Sequence, residues 1–174
     1  MLQLAYLIVT GTTTAARAPD LVRGLLGLVP AVITLCTPNS KRVIAPHDLS
    51  VLAGNRVVES YFDEAILPRP PRGLVLVAPC SFNSLNKLAA GIADNLALSV
   101  VAEAIGRRTP VIVAPSLNEP LLRHPRTAAS MATLRDWGVS VIEPVDDGDG
   151  PRLAPDEVIL AEARRCLERP DPAS

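Results

Sequence analysis

Short apolar runs with no polar alternation constrain this chain more than any other feature. Leu4–Val9, Ala31–Leu35, Leu74–Ala78 and Val111–Ala114 each read as a strand without a polar face. A half-solvated strand alternates polar and apolar residues, whereas a strand buried on both faces does not. Segments of helical character separate these runs: Ala15–Leu28, Pro46–Ala53, helices around Leu85–Gly106, Arg126–Trp137 and Asp156–Leu167. The first strand extends over Leu2–Val9 and a last one falls at Val139–Ile142, while residues 55–73 read as irregular. Strands that alternate with helices predict an α/β fold, a single doubly wound parallel sheet flanked by helices.

The chain has 174 residues, 48% of them hydrophobic, which is enough for one compact domain with its own core. We place that domain at residues 1–168 and read 169–174 as a frayed tail. No apolar run reaches the roughly 18 residues of a membrane span. Leu4–Val9 is too short for a signal-peptide core and lacks a basic flank. A net charge of −1 gives no electrostatic case for nucleic acid or an anionic membrane. Cys36, Cys80 and Cys166 are odd in number and widely spaced, which fits neither a metal site nor a disulfide framework. The simplest setting is a reduced, cytoplasmic one.

Polar residues gather where the strands end. Gly11-Thr12-Thr13-Thr14 follows the first strand and Thr37-Pro38-Asn39-Ser40 the second. Ser81-Phe82-Asn83-Ser84 follows one Ala-Pro pair, and Ser116-Leu117-Asn118 follows another. In an open parallel sheet the ligand binds outside the carboxyl ends of the strands. Each segment alone also reads as a cap or a turn. The first loop is neither a dinucleotide fingerprint nor a P-loop. Asn83 and Asn118 stand out because an amide donates and accepts together. Asp94-Asn95 is read inside a helix, where both are poor formers.

Together these segments resemble the homo-oligomeric flavin-containing cysteine decarboxylases, which include phosphopantothenoylcysteine decarboxylases and epidermin-type peptidyl-cysteine decarboxylases. Ser81–Ser84 is similar to that family's Ser-Ala-Asn-Thr segment, and Pro115–Asn118 to its Pro-Ala-Met-Asn segment. The resemblance implies a Rossmann-like fold and bound FMN, with FAD as the alternative. It assigns cofactor contacts to Gly11, Thr12, Thr13, Thr37, Asn39, Ser40, Ser81, Phe82, Asn83, Ser84 and Ser116. It gives Asn118 the substrate carboxylate. It also implies a homotrimer, with a dodecamer assembled from trimers as the alternative, and puts the segment Gly91–Asn95 near a shared site.

The departures matter as much. The family's histidine position falls on Ala65, and no histidine lies between residues 48 and 123. His47 is then the replacement base to consider, and His124 reads as structural. The family's reducing cysteine flap is replaced by the short acidic stretch Glu143–Arg152, which has no cysteine. Leu117 replaces methionine and Phe82 replaces alanine. A chain without the flap cysteine is expected to stop at the oxidised product. The leading expectation is therefore oxidative decarboxylation of a C-terminal peptidyl cysteine to an enethiol. The alternatives are a phosphopantothenoylcysteine decarboxylase, or a non-catalytic flavin-binding partner subunit that has lost the histidine. A flavin prenyltransferase, suggested by Pro79-Cys80-Ser81, is a distant fourth.

Overall fold

The computed structural model describes residues 2–169. The expected frayed tail, apart from Arg169, lies outside the described residues. Six parallel strands form one sheet in the order β3-β2-β1-β4-β5-β6. They are β1 (Leu4–Val9), β2 (Ala31–Cys36), β3 (Asn55–Val57), β4 (Leu74–Cys80), β5 (Val111–Pro115) and β6 (Ser140–Val141). Both faces are covered by helices. Tyr6 and Ile8 enter one apolar cluster while Ala5, Leu7 and Val9 enter the other, all within 1% of full burial. That is why β1 shows no alternation: each face of the strand meets its own core.

The helices are α1 (Ala18–Leu26), α2 (Pro46–Ser50), α3 (Phe82–Ala89), α4 (Leu96–Gly106), α5 (Glu119–Leu122), α6 (Pro125–Asp136) and α7 (Asp156–Glu168). Several differ from the expected spans for clear reasons. The expected helix from Ala15 splits into a tight 3-10 turn over Thr13–Arg17 and then α1, because Pro19 suits a first turn and not a helix interior. The expected helical stretch around Leu85–Gly106 is broken. Gly91 adopts φ +70°, a left-handed conformation that ends α3, and Asn95 caps α4 by accepting from Leu98 N–H at 3.0 Å. Asp94-Asn95 therefore lies in a loop, and its poor helix propensity needs no further account. The irregular stretch holds β3, an edge strand too short to show a period. β7 (Val145–Asp146) and β8 (Pro151–Arg152) form a small hairpin within the acidic stretch.

The strand order reverses between β1 and β4. There Thr10, fully buried, donates its hydroxyl to Pro79 C=O at 2.7 Å and accepts from Ser81 N–H at 2.7 Å. One side chain ties the exits of both central strands together. Arg17 does related work further out. It donates to Ala154 C=O at 2.9 Å and pairs with Asp156, which docks the start of α7 on the turn after β1.

Thr10→Val keeps the shape and the backbone bond to Pro79 C=O at 3.3 Å but leaves Ser81 N–H without the hydroxyl that it donates to. An unsatisfied buried polar group costs about 1–3 kcal/mol. Urea denaturation should show a loss of that size. Stability equal to wild type would mean that Thr10 does not clamp the strands.

Candidate functional site

An open cleft of about 420 Å³ lies at the carboxyl edge of the sheet, at the strand-order reversal. This is where an open α/β sheet holds a ligand, and the size suits a small molecule. The loop after β1 contributes Gly11 and Thr12, and the loop after β2 contributes Thr37, Pro38 and Asn39. These loops touch: a Cβ on Gly11 would meet Asn39 Cβ at 2.6 Å, so this position takes glycine. The exit of β4 and the first turn of α3 contribute Ser81, Phe82, Asn83 and Ser84. Ser116 follows β5.

Hydroxyls knit these loops. Thr12 and Thr14 are hydrogen-bonded at 2.7 Å, and Thr14 and Ser116 at 2.7 Å. Ser81 caps α3 by accepting from Ser84 N–H at 3.2 Å. Thr37 C=O accepts from Ser40 Oγ at 2.8 Å. The cap and cofactor readings of these residues are therefore compatible, since a side chain that caps a helix also borders the cleft. The Phe82 ring packs edge-on against His124 at 5.1 Å between centroids. His124 itself caps α6, with Nδ1 accepting from Arg126 N–H at 3.1 Å.

Nine expected residues line the cleft: Gly11, Thr12, Thr37, Asn39, Ser81, Phe82, Asn83, Ser84 and Ser116. Thr13, Ser40, His47 and Asn118 are outside the lining. Thr13 is exposed in the 3-10 turn, and Ser40 is buried beneath the β2 exit. His47 is exposed in the first turn of α2. Within one chain neither His47 nor His124 lines the cleft. Ala65 is half-buried and packs against the core. Asn118 caps α5, its Oδ1 accepting from Leu121 N–H at 3.1 Å, and Leu121 does line the cleft. Sequence reasoning missed Lys87, Leu98 and Leu121 as lining residues. Lys87 was findable, because it lies one helical turn after Asn83 on the same face.

The lining fits an amphiphilic ligand. Hydroxyls and amides suit a phosphorylated, hydroxylated chain, and Phe82, Leu98 and Leu121 offer apolar surface to a ring. Cys80 lies close by in sequence but is fully buried, and burial pushes its thiol up, away from the reactive thiolate. None of the chain's cysteines lines the cleft, and no cluster of metal-ligating side chains occurs among the described residues.

The sequence profile described as Flavoprotein matches residues 3–163. The chain belongs to the flavoprotein family. It is 34% identical over 151 residues to a probable phosphopantothenoylcysteine decarboxylase of Streptococcus mutans, covering 83% of this chain and 84% of that one. It is 33% identical over 175 residues to the coenzyme A biosynthesis bifunctional protein CoaBC of Mycobacterium tuberculosis. That match covers 94% of this flavoprotein but 41% of the bifunctional relative, so the chain spans less than half of that protein. In fold it is similar to the FMN-dependent cysteine decarboxylase TvaF from thioviridamide biosynthesis, with a TM-score of 0.78 at 22% identity, covering 97% and 99% of the two chains. Among the described residues no helix is long and apolar enough to cross a membrane.

Asn95→Ala should lower stability by about 1 kcal/mol, the usual value of an N-cap, while Asn95→Asp should stay near wild type. Thermal denaturation of both variants checks this. An alanine variant as stable as wild type would show that Asn95 does not fix the start of α4.

Proposed function

We propose that this flavoprotein binds FMN in the sheet-edge cleft and oxidatively decarboxylates a C-terminal peptidyl cysteine to an enethiol. The observation that carries the peptide reading is the lack of any thiol along the cleft. The segment after β6 closes as the hairpin β7–β8, braced by Asp146 Oδ1 accepting from Gly148 and Gly150 N–H, and Cys166 is packed into the core on α7. None of Cys36, Cys80 and Cys166 lines the cleft, so none is placed to give an enethiol product the proton that its reduction requires. A second reading, decarboxylation of phosphopantothenoylcysteine, is favoured by the relatives that carry that name.

A bound flavin supplies the electron sink, since oxidation of the cysteine side chain to a thioaldehyde lets the carboxylate leave as carbon dioxide. The protein's part is to bind, orient and exclude water. In this reading Thr12, Thr37 and Asn39 receive the phosphorylated chain, while Ser81, Ser84 and Ser116 hold polar ring edges. Phe82, Leu98 and Leu121 wall the ring from solvent. Asn118 spends its Oδ1 on the α5 cap and turns its Nδ2 to the substrate carboxylate. Thr13, Ser40 and His47 have no direct contact in this scheme.

A trimer, in which a second copy covers the cleft margin, fits the exposed apolar groups nearby. Phe62 is 86% exposed and Ile92 47% exposed. Tyr61 hydrogen-bonds Ser99 at 2.7 Å, which places its loop on α4 one turn from Asn95. Light scattering of the flavin-loaded protein should give a multiple of three chains, and a monomer at micromolar concentration would contradict this.

Purified protein should be yellow, with an oxidised-flavin spectrum and FMN released on denaturation. Incubated with a cysteine-ending peptide, it should yield a product lighter by carbon dioxide and two hydrogens in mass spectrometry. Product from phosphopantothenoylcysteine alone would favour the second reading, and product from neither would leave a non-catalytic flavin binder. Asn118→Asp keeps the cap but replaces the donor by an anion. It should retain flavin and lose at least roughly tenfold in turnover, because a hydrogen bond to a charged group contributes about 1.5–3 kcal/mol. Undiminished turnover would remove Asn118 from the mechanism. His47→Ala should leave turnover within about twofold, whereas a loss of ~10²-fold or more would restore it as the base.

A further inference from the structure

Two charged side chains line the cleft, Lys87 and Asp94, and they are paired with each other. Lys87 Nζ donates to Asp94 Oδ2. The Lys87 side chain is only 26% exposed, which is low for a lysine whose packing could have been supplied by an apolar residue. Asp94 is fixed from behind. Its Oδ1 accepts from Asn95 Nδ2 at 3.3 Å, and Asn95 is held as the cap of α4. The hydrogen bond from Lys87 holds the Asp94 carboxyl below the usual carboxylate range, so the Asp94 carboxylate is ionised at neutral pH. The ammonium is thus held over the cleft by a neighbouring helix start.

Its place in the cleft matters. The loops after β1 and β2 line the cleft with hydroxyls, and α3, α4 and α5 bring Lys87, Leu98 and Leu121 to the same cleft. Lys87 sits in the last turn of α3, one helical turn beyond Asn83. In the flavin reading the phosphorylated chain takes the hydroxyl-rich loops, which leaves the apolar residues and Lys87 for the ring.

We propose that Lys87, positioned by Asp94, stabilises the negative charge that the flavin ring acquires on reduction, and so raises its reduction potential. This rests on the flavin reading above. The charge balance is explicit. Oxidising the substrate's CH₂–SH to CH=S removes two electrons and two protons. The ring takes the two electrons with the proton from carbon, the sulfur proton goes to solvent, and the ring is left with one added negative charge. The ammonium opposes that charge, and the Asp94 carboxylate that positions it offsets part of the effect. The same cation makes the first, oxidative step more favourable without touching the substrate.

The test is the reduction potential of FMN-loaded wild type, Lys87→Met, Lys87→Gln and Lys87→Arg, measured anaerobically against a reference dye. Arg23→Met, which removes an exposed charge on α1, serves as control. The two neutral variants should bind reduced flavin about tenfold less tightly relative to oxidised flavin, a fall of ~30 mV for a two-electron couple. Lys87→Arg and Arg23→Met should remain near wild type. Neutral variants at the wild-type potential would overturn the proposal. So would variants that lose FMN but keep riboflavin, because Lys87 would then be a phosphate ligand. A wild-type protein that takes up no flavin would instead overturn the cofactor reading itself, before any variant is compared.

Discussion

The Thr10 hydroxyl sits at the point on which the molecule turns. β1 and β4 are the central strands where winding reverses, and the chain must leave them in diverging directions. One backbone bond crosses there, Thr10 N–H to Pro79 C=O at 3.3 Å, and the side chain adds two shorter ones. Thr10 bonds Pro79 C=O and Ser81 N–H with one buried oxygen. That fixes Ser81, which caps α3, which carries Phe82, Asn83, Ser84 and Lys87 to the cleft. The Thr12–Thr14–Ser116 hydroxyl chain extends the tie to the β5 exit. The cleft is thus held by side-chain hydroxyls in addition to the backbone bonds between the strand exits.

Much of this was legible in the sequence because burial on both faces leaves a plain mark. β1, β2, β4 and β5 appear as unbroken apolar runs, and the polar residues after them announce the edge where the site lies. What escaped was whatever depends on short range or on another element. β3 and β6 are too brief for a period. The break between α3 and α4 turns on Gly91 and the Asn95 cap, which a window covering both helices averages away. Thr13 and Ser40 belong to the right loops, yet one faces solvent and the other the core. A motif places the loop, and only packing decides which side chain points inward. Lys87 was overlooked because a lysine near a helix end is ordinarily a solvated charge.

The departures from the family pattern reshape the cleft as well as removing groups from it. Phe82, where the pattern has alanine, fills the first turn of α3 with a ring and leans on His124. Ala65 turns into the core where a histidine was expected. The remaining charge in the lining is the Lys87–Asp94 pair, in which Asp94 holds the ammonium in place. In the proposed reading this cleft holds the flavin without an imidazole lining it from its own chain, and electrostatics and orientation carry the chemistry.

The central claim is that the sheet-edge cleft is the flavin site. A crystal structure of the protein loaded with FMN tests it directly. The account predicts ring density between Phe82 and Leu121, with Thr12, Asn39, Ser81 and Ser116 within hydrogen-bond distance of the cofactor. Flavin seated elsewhere, such as the groove between β6 and α7 lined by Val141 and Val158, with this cleft empty, would contradict it.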